Sequence, residues 1–190
     1  MSDPTTQDVI SLQSSHWIGG QTQLGPEMCF AATEATIQSA FGGTADQFEV
    51  AHDVMMWNIN AGLTDGETET YQAMLLSLDL DTMNATWAQV QPGFSADMQK
   101  ILENHRGDLM LTGRTQAAGG ALTNEEVMET IDQGGLIAFG NAAHWRIIYG
   151  YDFTLDTQAL NLWVFDPMDG SGYQLPLDAA GMQMSYRITG

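Results

Sequence analysis

HWRIIYGYD, residues 144–152, and LNLWVFD, residues 160–166, are the two stretches on which the fold of this chain turns. Each is short and rich in β-branched and aromatic residues, and Asp156 and Thr157 supply turn chemistry between them. LIAFG, residues 136–140, precedes them as a third strand, and GYQLPL (172–177) and MSYRIT (184–189) follow as weaker ones. His144 opens one strand and Asp166 closes the next, immediately before Pro167. Antiparallel neighbours can therefore bring an imidazole and a carboxylate side by side, whichever way the connecting loop runs.

Upstream the period changes from two to about 3.6. CFAATEATIQSAF, residues 29–41, is Ala-rich with apolar residues nearly all round, and Gly42-Gly43 supplies a stop, which predicts a buried central helix. Phe48, Ala51, Val54, Met55 and Ile59 recur at spacings of three and four within a helix expected over 45–60 and ended by Gly62. Further helices are expected from Glu67 to Leu78 and from Ser95, placed as N-cap, to Asn104. Thr123-Asn-Glu-Glu126 is a capping box that opens a helix ending near Gly134-Gly135. Residues 1–28 read as an opening strand or loop, with Gly19-Gly20 as a turn and not a leader signal. Helices first and antiparallel strands later predict an α+β protein of one folding unit, residues 1–190. Its helical lobe covers about 1–120 and its sheet lobe about 121–190, and the natural site is a cleft between them.

Composition narrows the function. The 190 residues hold 24 Asp and Glu against five Lys and Arg, a formal net charge of −19, and Lys100 is the only lysine. Such a surface repels phosphate backbones, so no nucleic-acid partner is expected. The balance is that of a protein kept soluble in high salt, and a preference for cationic substrates is the functional alternative. No apolar run reaches the roughly 18 residues of a membrane span, and MSDPTTQDVI lacks the regions of a signal peptide. A soluble protein that binds no membrane is expected, either cytoplasmic or exported without a signal peptide.

Cys29 is the single cysteine, which excludes an intramolecular disulfide and a Cys-rich zinc site. An EF-hand spacing is absent, and neither metal nor cofactor is expected. A lone cysteine is commonly an inert core thiol. Here it falls at a predicted helix start, where unsatisfied N–H groups and the macrodipole favour a thiolate. Thiolate attack on an amide also needs an imidazole to hold and return the proton, and a third group to fix its tautomer. His144 and Asp166 are the candidates. Gln23, six residues before Cys29, could add its side-chain N–H to the Cys29 backbone N–H as an oxyanion donor. Against this, Asp166 could serve only the Asp-Pro-Met-Asp-Gly turn. Trp145 could shield the pair or merely pack on the sheet, and His16, His52 and His105 are expected to be structural.

QLGPEMCFAA, residues 23–32, resembles the glutamine-to-cysteine block of papain-like cysteine peptidases. EEVMETIDQG, GLIAFG, AHWRIIYGYD and VFDPMDG resemble the helix, strand, His-strand and Asp-Pro-strand order of one branch of that class. This branch holds the bacterial double-glycine (bacteriocin-processing) peptidases and the AvrRpt-type effector proteases. The resemblance leaves about residues 45–120 unmatched. It implies a two-lobed papain-like fold, a peptide or protein substrate, Cys29 as nucleophile, His144 as general base and acid, Asp166 as orienting carboxylate and Gln23 in the oxyanion hole. Papain itself has Asn as third member and Trp after its cysteine, so Asp166 and Phe30 favour the bacterial branch. The same thioester passed to an amine would make an acyltransferase or transglutaminase-like enzyme, and a cleft without turnover would make a binding protein.

Overall fold

The computed structural model describes residues 8–25, 27–60, 62, 64–66, 68–70, 81, 85, 98–104, 111, 114–141 and 143–190; the side chains of 55, 56, 58–60 and 104 are outside the description. The described residues are α+β, and every strand pairing is antiparallel. They fall into a sheet unit (Met1–Ile18, Arg114–Asp166 and Ser171–Gly190) and a helical unit (Gly19–Gly113 and Pro167–Gly170). Among the described residues, no helix is long and apolar enough to cross a membrane.

The sheet unit contains β1 (Val9–Gln13), β2 (Thr115–Ala117), β3 (Leu136–Gly140), β4 (Trp145–Thr154), β5 (Ala159–Asp166), β6 (Ser171–Pro176) and β7 (Met184–Ile188). Their order is β2-β7-β3-β4-β5-β6, and β1 also pairs with β4. One edge of β4 is covered in tandem, by β3 along Trp145–Ile148 and by β1 along Gly150–Thr154. Opposite β5 the register shifts between Ile148 and Gly150, so Tyr149 is the extra residue of a bulge. The bulge resets the alternation and lets Ile148, Tyr151 and Phe153 all join one core with Leu162 and Val164 of β5. Gly150 is needed there because a Cβ would lie 2.8 Å from both the Leu12 carbonyl oxygen and the Trp163 ring.

A helix packs Val127 and Ile131 onto that core. It spans Asn124–Asp132 and has the full reciprocal capping box expected of Thr123 and Glu126. The Glu126 carboxyl is held below the ordinary glutamate range, chiefly by the Thr123 backbone N–H and then by its hydroxyl.

The helical unit is built on α1 (Cys29–Ala40), α2 (Gln47–Asn60) and α3 (Met98–Asn104), so the Asn124–Asp132 helix is α4. Eleven of the twelve residues of α1 are buried, as expected of a helix that is apolar nearly all round. The helix ends at Gly42, with φ +91°, and the Gly43 N–H caps the Gln38 carbonyl at 2.7 Å. The helix expected over 67–78 lies largely outside the described residues, as do Ser95 and His105. Two strands exceed the expectation: β1 forms a definite strand within the opening segment, and β2 adds three residues beside β7.

Candidate active site

Four local devices deliver His144. Gly140 ends β3 where a Cβ would meet the His144 carbonyl oxygen at 2.8 Å and the Trp145 ring at 2.9 Å, so only glycine lets the hairpin close. The Asn141 side-chain oxygen accepts from the backbone N–H groups of Ala143 at 2.9 Å and His144 at 3.0 Å, an Asx turn that sets the backbone before β4. The Asn141 N–H donates to the His144 carbonyl at 3.2 Å. Trp145 is buried and its ring lies 5.8 Å from that of Tyr186, so it anchors the start of the strand by packing on β7.

At the end of β5 the Asp166 carboxylate lies 2.6 Å from His144 Nε2 through Oδ1, and Oδ2 accepts from Arg146 Nε at 2.9 Å. The His144 and Asp166 side chains are 8% and 14% exposed. Asp166 therefore does more than form a turn. A neutral imidazole that donates from Nε2 to this carboxylate has Nδ1 as its basic nitrogen.

In the helical unit Cys29 is the first residue of α1 and is buried, 7% exposed. Its helix start has no acidic residue in the first turn and no side-chain cap from Met28. A helix start presents backbone N–H groups and the positive end of the helix dipole to the residue that opens it. The preceding loop is fixed by polar side chains. Gln47 accepts from the Leu24 N–H at 3.0 Å and donates to the Thr22 carbonyl at 2.9 Å, and the Thr36 hydroxyl accepts from the Gln21 N–H at 2.9 Å. Gln23 lies in this loop; its backbone N–H donates to the Pro167 carbonyl and its side-chain amide to the Gly25 carbonyl, both at 2.7 Å.

His144 and Asp166 thus meet directly within the sheet unit, whereas Gln23 and Cys29 belong to the helical unit. His16 Nδ1 lies 2.7 Å from the Gly134 carbonyl, which the Ser14 hydroxyl also engages, and His52 lies within α2 beside Asp53. Among the described residues no three His, Cys, Asp or Glu side chains gather as metal ligands. Arg146 escaped the sequence reading, although its spacing of two from His144 was a usable signal: alternate strand residues share a face.

No protein-family model matches this chain, and no curated protein matches it. Among solved structures it is similar to UfSP from C. elegans, with 16% identity and a TM-score of 0.44. The match covers 98% of this chain and 34% of the other, so the chain spans about a third of that protein's length.

Proposed function

We propose that this chain is a papain-like cysteine peptidase that hydrolyses peptide or amide bonds in peptide or protein substrates. The observation that carries this proposal is the 2.6 Å contact between His144 Nε2 and Asp166 Oδ1, in a chain whose single cysteine begins a buried helix. The helix-start position favours the thiolate, and the carboxylate contact favours the imidazole tautomer that a general base requires.

In the proposed reaction the Cys29 thiolate attacks the scissile carbonyl, and the oxyanion is held by the Cys29 N–H and the Gln23 side-chain amide. The imidazolium of His144 protonates the leaving amine as the C–N bond breaks, giving a thioester. Water then gives a proton to His144 as its oxygen attacks the thioester, and the C–S bond breaks to release the acid and restore the Cys29 thiolate and the His144 imidazolium. A two-lobed arrangement and membership of the bacterial branch belong to the same proposal, supported by Asp166 as third member and Phe30 after the cysteine.

Iodoacetamide or E-64 is expected to label Cys29 at one adduct per chain, and Cys29→Ala is expected to abolish cleavage of a peptide library. Retained cleavage in Cys29→Ala would overturn the assignment. Mass spectrometry of products with and without an added amine reports the fate of the thioester: an amide in place of the acid reassigns the enzyme as an acyltransferase.

A further inference from the structure

His144 stands immediately before β4 and Arg146 is the second residue of the strand, and both side chains come to the one carboxylate of Asp166. Both reach the same carboxylate from opposite sides, His144 to Oδ1 at 2.6 Å and Arg146 to Oδ2 at 2.9 Å. One hydrogen bond leaves the carboxylate plane able to rotate about Cβ–Cγ. A second donor on the other oxygen removes that freedom and holds Oδ1 on the ring nitrogen. The donor is the arginine Nε, three carbons from the backbone, so fewer rotatable bonds separate it from β4 than would separate a lysine ammonium. The Arg146 side chain is 25% exposed and presents a planar guanidinium to the carboxylate. In a chain with 24 acidic residues and only five Lys and Arg, it sets a positive charge against a carboxylate that general repulsion otherwise disfavours.

We infer that Arg146 is a positioning residue: by fixing Asp166 it fixes the His144 imidazole as the Nε2–H tautomer, with Nδ1 as the basic nitrogen. Arg146 touches neither thiol nor substrate in this scheme and acts only through Asp166. The inference rests on the proposed role of His144 as general base.

Two readouts test it. In a long-range 1H–15N correlation spectrum, at a pH where the ring is neutral, the His144 signal is assigned by its loss in His144→Gln. It is expected to show the Nε2–H pattern in the wild type and an averaged pattern in Arg146→Gln, with Arg146→Lys in between. Kinetically, Arg146→Gln is expected to lower kcat about tenfold with KM within about twofold, and to cost no more than about twofold once Asp166→Asn is present, because residues acting through one another are not additive. An unchanged tautomer pattern in Arg146→Gln, or the same fold-loss in both backgrounds, overturns the inference. Arg146→Lys keeps the test alive if the glutamine variant fails to fold. Retained cleavage in Cys29→Ala would remove the peptidase proposal while leaving the tautomer measurement a valid test of Arg146.

Discussion

Glu34 lies in α1 with no exposed surface, and burial pushes its carboxyl up to about 8, with only partial opposition from the 2.7 Å hydrogen bond donated by Gln38. The native state therefore keeps this proton across a range in which the unfolded chain, with an ordinary value of 4.5, has released it. Stability from this group is full below pH 4.5, falls as the pH rises through about 8, and is level above that. Glu34→Gln is expected to flatten that fall, so urea midpoints of variant and wild type should diverge steadily towards pH 8 in the variant's favour. Parallel midpoints across the range would show that Glu34 does not hold its proton. At this scale the His144–Asp166 pair of the candidate site was legible. Cys29, His144 and Asp166 stood out because each residue type occurred at an element boundary suited to its chemistry. Glu34 and Arg146 did not, because a lone Glu in a helix and a lone Arg in a strand ordinarily face solvent, and only packing reverses that.

Elements follow from their ends. The capping box at α4 satisfies two backbone donors reciprocally, so Thr123→Ala is expected to cost about 1 kcal/mol, measurable by chemical denaturation. Gly140→Ala forces a Cβ into the His144 carbonyl and the Trp145 ring, and the β3–β4 turn must open to accept it. It should lose about 1–3 kcal/mol of stability, as other small-to-large changes in packed sites do. The proposed peptidase activity should fall further than stability explains, because His144 is displaced. Activity retained at the wild-type level in a folded Gly140→Ala would show that the turn tolerates the shift. The α1 stop at Gly42-Gly43, the α4 cap and the three central strands were all visible in local patterns. β1 was not defined as a strand because its five residues are exposed and it exists through pairing with β4 some 140 residues later. β2 was missed because three residues carry no periodicity.

At the scale of the whole molecule, a net charge of −19 makes self-repulsion a general destabilising force. Raising salt from about 0.1 to 1 M shortens the screening length from about 10 Å to about 3 Å, so the thermal midpoint is expected to rise by several degrees. A midpoint that falls over that range in calorimetry would show that charge repulsion does not limit the stability of this fold. Charge, the single thiol, the helix caps and the strand candidates depend on composition or on neighbours within about four residues, and these are written along the chain. The joining of His144 and Arg146 to one carboxylate, across 22 and 20 residues, depends on strand register and on a turn that only glycine closes. Register is set by which faces are buried against the rest of the fold, so that pairing was decided by tertiary structure.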